Sequence, residues 1–186
     1  MAAASRPILD SLKVMVVDDN RHMRALVMSV LHALGVGTAR EFAEAQEAYR
    51  ELGRFKPDLI IVDWHMEPLD GLEFARMVRN AAKSPTPYVP LIMLSGYTEM
   101  KRICEARDVG VNEFLAKPIS ARSLYQRIVS LIANPRPFVR TASYFGPDRR
   151  RRDVGAPDGM ADRRGAQLPF AAGPADSNEI EILPRE

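Results

Sequence analysis

Cysteine is almost missing from this 186-residue chain. Cys104 stands alone, so no internal disulfide can form, and a reducing compartment is the expected setting. No apolar run approaches the roughly 18 residues of a membrane span, and residues 1–10 lack the apolar core of a secretory signal. A soluble, cytoplasmic chain is expected. Net charge is nearly absent as well: 26 basic against 24 acidic side chains leave +2, too little to make the whole chain a nucleic-acid binder. The three histidines, His22, His32 and His65, show no metal-ligand spacing. Lysine disappears altogether after Lys117.

That last absence divides the chain. Residues 1–134 hold 17 basic and 16 acidic residues, including all five lysines. The remaining 52 residues hold nine arginines, eight acids, seven prolines and five glycines, with no sustained apolar period. Such a composition predicts a largely disordered tail over 135–186 with no core of its own. One domain is expected over 10–134, preceded by a disordered 1–9.

Within 10–134, short apolar runs alternate with amphipathic segments. Lys13 to Val17 reads as a buried strand ending in Asp18-Asp19. Met23, Leu26, Val27, Val30, Leu31 and Leu34 fall on one helix face, stopped at Gly35. Val36 to Arg40 is a weak strand, and Ala45, Ala48, Tyr49 and Leu52 mark a second helix, closed by Gly53. Leu59 to Val62, a continuous apolar run ending in Asp63, is the pattern of a strand covered on both faces. A helix from about Gly71 to Ala82, a strand over Leu91–Leu94, a helix over Glu99–Val109, a strand over Glu113–Leu115 and a helix over Ser120–Ile132 complete the alternation. Cys104 falls on an amphipathic helix and reads as a small core residue. Five strand-helix units predict an α/β fold: a doubly wound, five-stranded parallel sheet with helices on both faces.

In such sheets function lies beyond the carboxyl ends of the strands. That rule selects Asp18, Asp19, Asp63, Ser95 and Lys117. Three carboxylates on one rim repel each other unless a cation joins them, and a hard, oxygen-liking ion such as Mg²⁺ suits them. An aspartate so placed can attack phosphorus and become an acyl phosphate, while Ser95 and Lys117 bind phosphoryl oxygens. Taken alone, Asp18-Asp19-Asn20 also fits a helix N-cap; Asp63 and Lys117 in register favour the site. A nucleotide-binding enzyme of this topology needs a glycine-rich turn where Asp-Asp-Asn stands. An aspartyl phosphatase typically carries a second carboxylate two residues after its nucleophile, where this chain has His65.

These residues resemble the receiver domain of two-component response regulators, particularly single-domain CheY-like ones. The matching pieces are Asp18-Asp19, Asp63, Met66, Asp70-Gly71, Ser95-Gly96 and Lys117-Pro118, in order and on the right elements over roughly 10–134. The resemblance implies a flavodoxin-like strand order, 2-1-3-4-5. It implies that Asp63 is the phosphoacceptor and that Asp18, Asp19, Asp63 and the carbonyl of His65 hold Mg²⁺. Ser95 and Lys117 answer the phosphoryl group, Phe114 stands at the family's rotating aromatic, and Lys117-Pro118 stands at its cis peptide. Phe114 also reads as a packing aromatic of an edge strand. The implied partners are a sensor histidine kinase or phosphotransfer protein and a downstream target, in flagellar motor or chemotaxis systems by resemblance. The implied product is a switched docking face on the fourth helix, fifth strand and last helix. Such a protein is no enzyme beyond its own phosphorylation and dephosphorylation. Two positions depart from the family: Glu67 replaces the usual proline, which follows as Pro68, and Trp64 is bulkier than the usual aliphatic residue.

The tail carries its own pattern. Eight arginines and four aspartates lie in 136–164, and the Asp-Arg-Arg unit at 148–150 returns at 162–164. Arginine stacks on bases and pairs bidentately with guanine, whereas aspartate accepts from guanine N–H groups. Asp148, Arg149, Arg150, Arg151, Arg152, Asp153, Asp162, Arg163 and Arg164 therefore form a candidate clamp for a ligand with two guanines and two phosphates. The tail resembles the arginine-rich extensions of CheY-like cyclic di-GMP effectors. Nucleic-acid phosphate binding and a solvated or partner-docking linker stand beside that reading. No helix-turn-helix fits this composition, which argues against a DNA-binding output.

Overall fold

The structure, a computed structural model, describes residues 9–96, 100–141, 144–148 and 181–183. Five parallel strands, β1 (Lys13–Val17), β2 (Thr38–Phe42), β3 (Leu59–Asp63), β4 (Leu91–Ser95) and β5 (Glu113–Ala116), form one sheet in the order β2-β1-β3-β4-β5. Between and after them run α1 (Arg21–Ala33), α2 (Ala45–Phe55), α3 (Gly71–Arg79), α4 (Met100–Val109) and α5 (Ala121–Ala133). This is the doubly wound sheet that the alternation predicts, in the flavodoxin-like order that the resemblance implies. Among the described residues no helix is long and apolar enough to cross a membrane.

The two-residue period of the strands builds two cores. Met15, Val17, Ile60, Val62, Leu91 and Met93 face α2, α3 and α4, where Leu52, Phe74 and Ala106 receive them. Their neighbours Val14, Val16, Ile61, Ile92 and Leu94 face α1 and α5, against Val27, Leu31, Leu124 and Ile128. Strands β3 and β4 are buried along their whole length, which explains their unbroken apolar runs. The edge strand β2 buries only Phe42 fully, which explains its weak pattern.

Several element ends differ from the expectation, three of them for reasons visible in the backbone. Val36 does not begin β2; its N–H turns back to the Leu31 carbonyl (3.0 Å) around Gly35 at φ +83°, so it closes α1 instead. Helix α3 ends at Arg79, three residues early, with Asn80 as its C-cap. Gly53 does not stop α2. The helix runs on to Phe55 and ends at Lys56, which adopts a left-handed conformation (φ +49°) immediately before Pro57.

The tail differs more. At its described positions the tail, expected to be largely disordered and without a core of its own, carries short strands. Strands β6 (Phe138–Arg140), β7 (Phe145–Pro147) and β8 (Glu181–Leu183) form an antiparallel sheet in the order β7-β6-β8. Phe138 is buried against Tyr88 and Phe145, with ring centroids 5.3–5.7 Å apart. Two aromatics in a Pro-rich stretch show no period, yet they fill a seat prepared by the domain. The segment needs no core of its own because it borrows one.

Gly53 supplies a stability prediction. It lies inside α2, and a Cβ there would meet Pro85 at 3.6 Å, an ordinary contact. Gly53→Ala should therefore recover the helix propensity difference of ~0.8–1.0 kcal/mol. In a chain of this size that is a rise in melting temperature of roughly 2–4 °C by scanning calorimetry. An unchanged or lowered melting temperature contradicts the assignment.

Candidate functional site

The register of the sheet assembles the site. Val17 of β1 pairs with Val62 of β3, so the residues that follow, Asp18 and Asp63, emerge side by side on one rim. Ser95 of β4 pairs with Ala116 of β5, and the Lys117 N–H donates to the Ser95 carbonyl (2.7 Å). Lys117 thereby arrives opposite the two aspartates. Its Nζ lies 2.9 Å from Asp63 Oδ2 and 3.6 Å from Asp18 Oδ2. Asp18, Asp63 and Ser95 are buried, whereas Asp19 is exposed.

Helix capping does not account for the acidic pair. Asn20 caps α1, accepting from the N–H groups of His22 (2.9 Å) and Met23 (3.2 Å). Asp18 and Asp19 are left for the rim. Asp18 Oδ1 accepts from the Asn20 N–H (2.8 Å), but Asp18 Oδ2 is buried without a hydrogen-bond partner. Burial pushes the Asp18 carboxyl above the usual range, and the charge of Asp63 pushes it further; the Asn20 N–H and Lys117 act the other way.

Ligand oxygens of Asp18, Asp19 and Asp63 all lie within 4.8 Å of one another. Hard oxygen donors this close, one of them a buried carboxylate oxygen with no hydrogen bond, fit a small divalent cation such as Mg²⁺. The remaining contacts hold the rim in place. The Trp64 N–H donates to Asp63 Oδ1 and to the Leu94 carbonyl, both at 2.8 Å. The Glu67 N–H donates to Asp19 Oδ2 (3.3 Å), so the departure at Glu67 brings a backbone donor to the acidic cluster. The Glu67–Pro68 and Lys117–Pro118 bonds are both cis, the second as the sequence implied.

Two residues are explained only by geometry. Gly71 must lack a side chain, because a Cβ would stand 2.0 Å from the Asp63 carbonyl oxygen; its N–H donates to the Trp64 carbonyl (2.9 Å). Asp70 caps α3 just before it, in a reciprocal box with Glu73. Arg24 went unnoticed in the sequence. From the first turn of α1 its Nη1 donates to the carbonyls of Asp18 (2.8 Å) and Asp19 (3.2 Å), while Nε lies 3.6 Å from Glu41. Only an arginine near the start of the helix hinted at it.

Residues 14–129 match the response regulator receiver domain family. The chain belongs to that family. It is 27% identical over 118 residues to the chemotaxis protein CheY-3 of Vibrio cholerae serotype O1, covering 63% of this chain and 89% of that protein. It is 29% identical over 117 residues to the chemotaxis protein CheY of Pseudomonas aeruginosa, covering 63% and 93%. Among solved structures, the Vibrio cholerae chemotaxis protein CheY4 superposes with a TM-score of 0.58 at 28% identity, covering 63% of this chain and 95% of that one. Receiver domains are phosphoacceptor signalling domains.

The receiver brings Asp18, Asp19, Asp63, Ser95 and Lys117 to one end of the sheet. Phe114 is half-buried on β5 and meets Trp64 edge-on, with centroids 6.2 Å apart and planes at 77°. His65 is exposed in the turn after β3. In the tail, the Asp148 N–H donates to the Pro137 carbonyl (2.8 Å). Arg149, Arg150, Arg151, Arg152, Asp153, Asp162, Arg163 and Arg164 lie outside the described residues.

The raised Asp18 carboxyl gives a signed pH prediction. A folded value above the unfolded one destabilises the fold as pH rises between them, and the whole penalty remains above the folded value. In EDTA at pH 8, Asp18→Asn should melt above the wild-type receiver, and the difference should shrink as pH falls. Adding Mg²⁺ should raise the wild-type melting temperature and leave Asp18→Asn unchanged. Equal Mg²⁺ shifts in both proteins would remove Asp18 from the cation site.

Proposed function

We propose that the chain is a response regulator of a two-component phosphorelay that accepts a phosphoryl group on Asp63. The observation that carries this reading is the Asp63 carboxylate, buried, 2.9 Å from Lys117 Nζ and beside two further carboxylates. An Asp63 oxygen attacks phosphorus in line as the bond from phosphorus to the donor breaks. With a histidine donor that is a nitrogen–phosphorus bond, and its electron pair stays on the imidazole. The Lys117 ammonium faces the phosphoryl oxygens, and the Ser95 hydroxyl donates to one of them. Asp18, Asp19, Asp63 and the His65 carbonyl would hold Mg²⁺, which supplies charge neutralisation at the phosphoryl oxygens when bound. Relatives named as chemotaxis proteins support a histidine kinase or phosphotransfer protein as donor and a chemotaxis or motor protein as target. The output is a changed docking face of α4, β5 and α5, to which Phe114 contributes.

Incubation of the full-length chain with a small acyl phosphate and Mg²⁺ should give one base-labile phosphoryl group per chain. Asp63→Asn should reduce it to background, and Lys117→Ala should slow it with the protein still folded. Labelling that persists in Asp63→Asn defeats the assignment. Mg²⁺ binding without any labelling favours a constitutive docking module instead.

A second input is proposed for the tail, on the strength of nine arginines without lysine and the repeated Asp-Arg-Arg unit. Cyclic di-GMP has the two guanines and two phosphates that such a clamp addresses. Titration calorimetry of the full chain should show heat with cyclic di-GMP that vanishes when Arg149 to Arg152 become alanine. Equal heat in both proteins, or none, ends the idea. Affinity that collapses steeply with salt and ignores guanine points to nucleic-acid phosphates.

A further inference from the structure

At the pole of the sheet opposite Asp63 lies a second buried charge that phosphoryl chemistry does not use. The Arg79 guanidinium, at the end of α3, donates through Nε to the Gly110 carbonyl (2.9 Å). Nη1 donates to the Pro87 carbonyl (2.8 Å) and Nη2 to Asn112 Oδ1 (2.9 Å). Among the described residues it forms no ion pair. Its face is covered by the Phe138 ring, 5.2 Å from the guanidinium carbon. A buried cation without a carboxylate is expensive unless each of its nitrogens finds an acceptor and water is kept out. Carbonyl dipoles supply the first condition, and the ring of Phe138 supplies the second. Burial lowers the Arg79 pKa to about 9, as expected for a cation cut off from water.

The cover is more than one ring. Tyr88 meets both Phe138 and Phe145 edge-on, and Phe145 is tilted against Phe138. The backbones touch as well: a Cβ on Gly146 would stand 2.9 Å from Gly110 Cα and 2.6 Å from the Tyr144 hydroxyl, and one on Gly110 would stand 3.2 Å from the Phe145 carbonyl. Gly110 itself has φ +97°. Arg136 reaches Glu113 (3.7 Å), which also holds Arg127 of α5 (3.1 Å). The segment is tied back on itself through Tyr144 Oη to the Pro147 carbonyl (2.7 Å) and Asp148 N–H to the Pro137 carbonyl.

We infer that residues 136–141 and 144–148 form a built-in strap seated on Arg79 and the turn before β5, and that strap and acidic rim are coupled through β5. That strand has four residues, about 13 Å at ~3.3 Å each. Lys117 grips Asp63 just past one end. At the other end Glu113 holds the strap, and Asn112 Oδ1 ties Arg79 to the Leu91 N–H that opens β4. A shift of β5 at either end is therefore felt at the other. The matched family region stops at residue 129, so the strap lies outside it while its seat lies within. Its coupling to phosphorylation rests on the function proposed above; the seat itself does not.

Hydrogen exchange of the full chain tests both parts. In the wild type, peptides covering 136–148 should be protected against short-peptide rates. Gly146→Val should abolish that protection and speed exchange over 112–117 by on the order of tenfold, leaving 14–17 unchanged. Phe145→Ala, which adds no volume, should do the same more weakly and guards against a misfolded first variant. A wild-type strap without protection, or a released strap that leaves 112–117 unaltered, overturns the inference. Beryllofluoride with Mg²⁺, an acyl-phosphate mimic, should alter exchange over 136–148. If it slows exchange around Asp63 while 136–148 stays unmoved, the coupling is refuted. If it fails to bind at all, the phosphoacceptor reading falls, and the seat is judged by the two variants alone.

Discussion

Two carboxylates, Asp18 and Asp63, are buried on adjacent strands, and positive charge is what makes their proximity tolerable. Lys117 supplies one such charge at 2.9 Å from Asp63, yet a buried oxygen of Asp18 still lacks a hydrogen bond. The rim is thus electrostatically incomplete by construction, and its donor set fits a small divalent cation. Everything beneath serves that placement. Parallel register sets Asp18 beside Asp63, the cap on Asn20 frees the acidic pair, and Gly71 leaves room for the Asp63 carbonyl.

The two poles of the sheet solve opposite problems by different means. At the carboxyl end, negative charge is crowded and met by an ammonium. At the amino end, a guanidinium is enclosed and met by three neutral acceptors and aromatic faces. The first solution leaves capacity for a ligand, whereas the second is closed. That contrast fits an open rim and a closed seat joined by β4 and β5, which run between them.

Most of the sheet was legible because its strands are either buried on both sides or alternate cleanly, and its helices carry continuous apolar stripes. The rim followed from topology alone: residues just past the strands of a parallel sheet must meet. What escaped had weaker or longer-range causes. The end of α2 turns on Lys56 and Pro57 rather than on Gly53, because a glycine inside a helix only weakens it. Arg24 acts through backbone carbonyls, which no side-chain pattern records. Phe138 and Phe145 looked like stray aromatics in a proline-rich tail, since the surface that buries them comes from residues 79–112 and not from their own neighbours.

The segment joining α5 to β6 is four residues long, 134–137, and two of them are proline. The polypeptide therefore leaves its last helix and folds back at once, with no slack. Anyone transplanting this module into a chimera, or trimming it for crystallography, meets an edge that lies beyond the last helix, because β6 also pairs with β8. A cut at the end of the helix would strip the roof from Arg79 and leave Tyr88 bare, converting a quiet surface into a sticky one.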